Sequence, residues 1–85
     1  MGKIRVLGIY IHDRKKEAGE VQRLLTGFGC IIKTRLGLHD AFDNDCSDRG
    51  LILLELAGDQ NLWNDLEEKL SKIEGITVKN MDFDF

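Results

Sequence analysis

Proline is absent from this chain, and cysteine and histidine occur only twice each. With no proline and no serine- or glycine-rich run, no segment reads as a linker, so 85 residues are expected to form one domain spanning 1–85. Two cysteines behind an opening without a signal-like cleavage site fit a reduced, cytoplasmic protein rather than a disulfide scaffold. The opening also lacks the Ser or Thr of a myristoylation signal. Positive charge is in deficit: 12 basic against 15 acidic residues give a net charge of −3 and a pI near 5.3. A general attraction to nucleic acid is therefore missing, and direct DNA or RNA binding is not expected. The apolar run that opens the chain, "IRVLGIYI", is far too short to cross a bilayer, so no membrane association is expected either. No segment repeats at a solenoid period.

Hydrophobic residues make up 42% of the chain and charged ones 32%, the balance of a folded globular protein. Residues 4–11 are β-branched, aromatic and aliphatic and predict a buried strand. Asp13 is placed to cap a helix, in which Ala18, Val21, Leu24, Leu25 and Phe28 recur on one face; Gly27 and Gly29 end it. "CIIKTRLGL", Cys30 to Leu38, alternates as a half-buried strand does. Leu51 to Ala57, nearly all apolar, predicts a central strand. Asp59 or Asn61 caps a second helix with a stripe of Leu62, Trp63, Leu66, Leu70 and Ile73. Gly75 ends that helix, and "ITVKNMDFDF" supplies a last strand. The order βαββαβ is the α+β, ferredoxin-like pattern: a four-stranded antiparallel sheet with two helices on one face. The apolar first and third strands belong at the centre and the charged second and fourth at the edges, which gives the order 4-1-3-2.

With both helices on one side, the other sheet face needs an occupant. Glu55 assigns Leu51 and Leu53 to that face, and Arg5 assigns Leu7, Ile9 and Ile11; Ile31 joins them from the second strand. So apolar a face predicts a homo-oligomer, a dimer or tetramer, with these six residues in the interface.

Chemistry is sparser. His12, His39, Cys30 and Cys46 are the soft or borderline metal ligands available, with Asp13, Asp40, Asp43, Asp45 and Asp48 as oxygen donors. No CxxC, HxH or HExxH spacing closes a site; His39 and Cys46, across one loop, are the candidate metal pair, and a polar hairpin connection explains the same residues without any ligand. "DNDCSDRG" departs from a calcium loop, having Ser47 at the fifth position and no glycine at the sixth. Aspartates beside Cys46 raise rather than lower a thiol pKa, so catalysis is not expected. Arg14 and Lys16 open a helix, where a small anion can meet free amides and cationic side chains; with His39 and Asp40 they are the candidate ligand-binding residues.

Asp13, Arg14, Val21, Leu24, Leu25 and Gly29 resemble the opening of an ACT-type regulatory domain, with Lys15 and Lys16 where that pattern has Pro-Gly. The whole chain, through "RLGL" (Arg35 to Leu38), its third strand and "LEEKLSKIEGITVKNM" (Leu66 to Met81), is similar to the small ACT-like proteins assigned as iron-only hydrogenase system regulators. That family is related in fold to the C-terminal domain of the nickel-responsive repressor, which binds nickel through histidines and a cysteine at a subunit interface. The resemblance implies a non-catalytic regulatory domain that senses a small ligand or a transition metal such as nickel or iron. Gly37 stands where the first histidine of the repressor's H-x-H would be, so its full metal site does not carry over. Two rivals remain: a structural protein-interaction module without a ligand, and a small enzyme using Cys46.

Overall fold

A computed structural model describes residues 2–39 and 49–85, with residues 14–16, 38 and 39 described by backbone only. The elements are β1 (Lys3–Ile11), α1 (Arg14–Gly27), a 3-10 turn (Gly29–Ile31), β2 (Ile32–His39), β3 (Gly50–Leu56), α2 (Gln60–Ser71) and β4 (Ile76–Asp84). They form a four-stranded antiparallel sheet in the order β2-β3-β1-β4, the expected 4-1-3-2 arrangement read from the other edge. The fold is therefore ferredoxin-like α+β.

Local chemistry accounts for the boundaries. Asp59 caps α2, its carboxylate accepting from the Asn61 amide at 2.9 Å, which satisfies one of the free donors of the first turn. The α2–β4 turn closes at Gly75, whose φ of +83° suits a residue without a Cβ. From there the Gly75 carbonyl accepts the His12 amide at 2.9 Å, tying the turn to the end of β1.

One face of the sheet and both helices enclose the core. Leu7, Ile9 and Ile11 of β1 and Ile52, Leu54 and Leu56 of β3 meet Val21 and Leu25 of α1 and Trp63, Leu66 and Leu70 of α2, all of them buried. Leu7, Ile9 and Ile11, expected on the uncovered face, thus point the opposite way. Arg5 misassigns them: it shares their side of β1 but sits at the margin of the helix layer, its guanidinium 5.4 Å from the Trp63 ring centroid. There it donates to Asn64 and Glu67 of α2 and grips Asp82 of β4 through Nε at 2.6 Å and Nη2 at 3.0 Å. A long cationic side chain can lie along the core and still be solvated and paired at its tip. Ile31 is likewise a core residue, 3% exposed, because the chain there is a 3-10 turn rather than a strand. The register shift between Ile32 and Thr34 then inverts the parity expected for β2, and Cys30, expected on the apolar side, is exposed.

The Arg5 guanidinium, hydrogen-bonded to Asp82 and assisted by Lys3, holds the Asp82 carboxyl below the usual aspartate range. A carboxyl depressed on folding stabilises the fold above its unfolded pKa of about 3.9 and loses that contribution as pH falls toward the lowered value. Thermal melts of the wild type and Asp82→Asn are expected to differ near neutrality and to converge as pH drops below about 4. A difference that stays constant with pH would sever the link between this pair and acid stability.

Candidate functional site

The strand register defines what the uncovered face carries. Glu55 of β3 stands beside Val6 of β1 and Thr34 of β2, and Val6 beside Met81 of β4. One step along, Leu36, Leu53, Gly8 and Lys79 form the next row; beyond it Leu51, Tyr10 and Thr77 align, and at the opposite end Ile4 pairs with Phe83. The side chains alternate away from the core, so Leu51 and Leu53 lie where the sequence placed them, half-buried, while Leu36, Met81 and Phe83 are about half exposed, at 51%, 58% and 49%. An added Cβ on Gly8 would stand 3.7 Å from Leu53 Cδ2, so the Leu53 side chain leans over the backbone gap that Gly8 leaves. At the far end Gly2 and Phe85 exchange backbone hydrogen bonds and extend the β1–β4 pair past the end of β3. Phe85, 73% exposed, continues the apolar corner of Ile4 and Phe83.

Polar groups on this face are few. Glu55 accepts from the Thr34 hydroxyl at 3.1 Å and lies 3.9 Å from Lys33 Nζ. Lys79 is exposed and forms no ion pair among the described residues. At the end row, His12 shares a hydrogen bond of 3.1 Å with the Thr77 hydroxyl and stands edge-on to the Tyr10 ring.

The topology brings the described sequence candidates, His39, Arg14 and Lys16, to that same end. β1 and β2 both finish there, β3 and β4 both begin there, and His39, Gly50, Ile11 and Ile76 form the terminal row of backbone pairs. The first turn of α1, with Arg14 and Lys16, starts two residues after His12. Asp40 and Cys46 lie outside the described residues, and of His39, Arg14 and Lys16 only the backbone is described. Cys30 precedes β2 at its other end and so is separated from His39 by the length of the strand. Among the described residues no three of His, Cys, Asp and Glu converge as a ligand set, and no helix is long and apolar enough to cross a membrane.

The sequence missed Ile4, Val6, Tyr10, Leu36, Met81 and Phe83 as members of the face. Strict alternation of Met81, Phe83 and Phe85 with Asp82 and Asp84 was the available signal: one side of β4 had to be apolar over its C-terminal half. It also missed Glu17, a carboxylate buried to 6% exposure under the Gly75 turn, which carries no sequence signature.

No curated protein matches the sequence. Among solved structures, the uncharacterised protein TM1266 from Thermotoga maritima is 29% identical, covers 96% of this chain with 99% of its own, and superposes with a TM-score of 0.83. A CPII protein from Thiomonas intermedia, bound to ADP, AMP and acetate, is 17% identical over 96% of this chain and 87% of that one, with a TM-score of 0.57. A formyltetrahydrofolate deformylase from Pseudomonas putida matches 92% of this chain with 28% of its own length, at 15% identity and a TM-score of 0.54. The latter two likenesses concern the fold. Residues 3–80 match the family model described as "TM1266-like: Iron-only hydrogenase system regulator, putative". With nearly the whole chain matched and the same sheet and helix arrangement in place, this protein belongs to the TM1266-like family.

Proposed function

We propose that the chain is a non-catalytic regulatory domain that self-associates through its uncovered sheet face, its assembly biased by a small ligand or a transition metal. The observation that carries this reading is the face itself. Ile4, Val6, Tyr10, Leu36, Leu51, Leu53, Met81 and Phe83 form a contiguous, mostly apolar surface of the kind monomers rarely leave to water. The family's regulatory description supports the same reading. Regulation in such a domain is differential binding: an effector that prefers one assembly state shifts the population toward it. The terminal row with His39, the start of α1 with Arg14 and Lys16, and the β2–β3 connection holding Asp40 and Cys46 are where that effector is proposed to act.

Leu53→Asp tests the reading. It places a carboxylate within the apolar part of the face without touching the core, so the variant stays folded by circular dichroism. Light scattering at micromolar concentration is expected to show a wild-type dimer or higher oligomer and at least a tenfold weaker association for Leu53→Asp, since one unpaired buried charge costs more than about 1.4 kcal/mol. A monomeric wild type would overturn self-association and leave the face to a different protein. Selective alkylation of Cys46 at neutral pH would instead favour the cysteine-enzyme reading.

A further inference from the structure

The distribution of side chains on the sheet face selects one way for two copies to meet. Apolar residues occupy one diagonal: Leu36, Leu51 and Leu53 at one corner, Met81, Phe83 and Ile4 at the other. Polar residues occupy the second diagonal, Thr34 and Glu55 at one corner and Thr77 and Lys79 at the other. A face-to-face two-fold axis lies in the plane between the sheets, and its direction decides which residues meet. An axis parallel to the strands sets Glu55 on the partner's Val6 and Lys79 on the partner's Leu36. An axis perpendicular to them sets Glu55 on the partner's Leu53 and Lys79 on the partner's Met81. Along the polar diagonal, Glu55 meets its own copy, and so does Lys79. Each of these leaves a charge buried on an apolar side chain or against its like, which is unfavourable. Only an axis along the apolar diagonal sets apolar corner on apolar corner and Glu55 on Lys79, twice by symmetry.

We propose that this protein forms a two-fold dimer about the apolar diagonal of its sheet, with Lys79 of each copy paired to Glu55 of the other. The proposal rests on the reading that the face is a self-association surface and names its geometry. Lys79 and Glu55 are two strands apart, about 10 Å, and one alternate-residue step apart, about 7 Å. Their midpoint falls on β1 between Val6 and Gly8, near the centre of the face. The same distances make the strands of the two sheets cross at roughly 70°, nearer the orthogonal than the aligned class of sheet packing. The footprint suits a stable pair. Four strands of seven to nine residues cover about 500 Å² before side-chain relief is added, close to the lower end of the roughly 600–1,000 Å² that each partner buries in a standard interface. Among the described residues Lys79 has no ion-pair partner, and Glu55 holds only the Thr34 hydroxyl and a distant, exposed Lys33.

Charge reversal on the full chain, read by sedimentation equilibrium, decides it. Lys79→Glu and Glu55→Lys are each expected to weaken the dimer on the order of tenfold or more, because each turns two attractive contacts into two repulsive ones. The double variant K79E/E55K is expected to recover wild-type affinity to within about threefold, the pair being restored with its signs exchanged. Circular dichroism confirms that every variant is folded. A double variant no tighter than the weaker single overturns this axis; if Leu53→Asp still disrupts the dimer, the face remains the interface. A wild-type chain that sediments as a monomer throughout overturns the axis and the face together.

Discussion

Trp63→Ala is expected to remove about 3–5 kcal/mol of stability, the range for truncating a large buried aromatic side chain, and to lower the melting temperature by roughly 15–30 °C. Trp63 has no exposed surface and stands in the core with Leu25, Leu66 and Leu70. Three separate losses combine. The cavity left beneath the sheet cannot fully collapse, because strands on one side and α1 on the other hold its walls. The Ala57 carbonyl loses the indole Nε1–H that it accepts at 3.0 Å, at the end of β3 where the chain turns toward α2. The Arg5 guanidinium loses the ring on which it rests, and with it the geometry of the Asp82 and Glu67 contacts. Since a chain of this size has only about 4–13 kcal/mol in total, the variant stands at the edge of unfolding. Urea denaturation at fixed protein concentration measures the effect, the concentration being held because dimerisation stabilises the native state by mass action. Trp63→Phe keeps part of the volume but not the hydrogen bond, so it is expected to fall between wild type and Trp63→Ala. A loss under about 1 kcal/mol for Trp63→Ala would mean that the core repacks around the gap.

The same residue shows why the fold was legible before the structure. Trp63, Leu66 and Leu70 recur at helical spacing, and β3 is apolar at nearly every position because it is flanked on both edges; those patterns fix element type and strand order together. The side on which β1 buries its residues was not legible. Both parities of "KIRVLGIYI" are apolar, Leu7, Ile9 and Ile11 against Ile4, Val6 and Tyr10, so Arg5 was left to decide, and a charge that pairs across the helix layer decides wrongly. In β2 the loss was local: a 3-10 turn and one register shift move Ile31 into the core and Leu36 onto the open face, and alternation in sequence cannot report a bulge. On the open face, Leu51 and Leu53 were placed correctly because Glu55 is a true marker of that side. Glu17 was invisible because a lone carboxylate near a helix start has every reason to be solvated; only the return of the chain at Gly75 buries it.

That burial yields the second large effect. Gly75→Ala is expected to cost about 2–4 kcal/mol, the sum of about 1–2 kcal/mol for placing a Cβ at a left-handed φ and about 1–2 kcal/mol for steric overlap in a packed site. The overlap is specific: the new Cβ would collide with the Glu17 carboxylate, which is buried and has one oxygen, Oε2, without a hydrogen-bond partner among the described residues. No hydrogen bond among the described residues holds Glu17 at that oxygen, and yielding to the new Cβ means swinging a buried carboxylate aside from under the turn. The two contributions separate in a double-mutant cycle. Glu17→Ala is expected to be nearly neutral, because relief of an unsatisfied buried oxygen offsets the lost packing. In the Glu17→Ala background, Gly75→Ala should cost only its backbone part, so the cycle should return a coupling of about 1–2 kcal/mol by chemical denaturation. Additive losses would show that the penalty is the φ angle and that Glu17 moves aside freely. A large coupling would show that this buried carboxylate, and not the turn conformation by itself, demands glycine where the chain passes from α2 into β4.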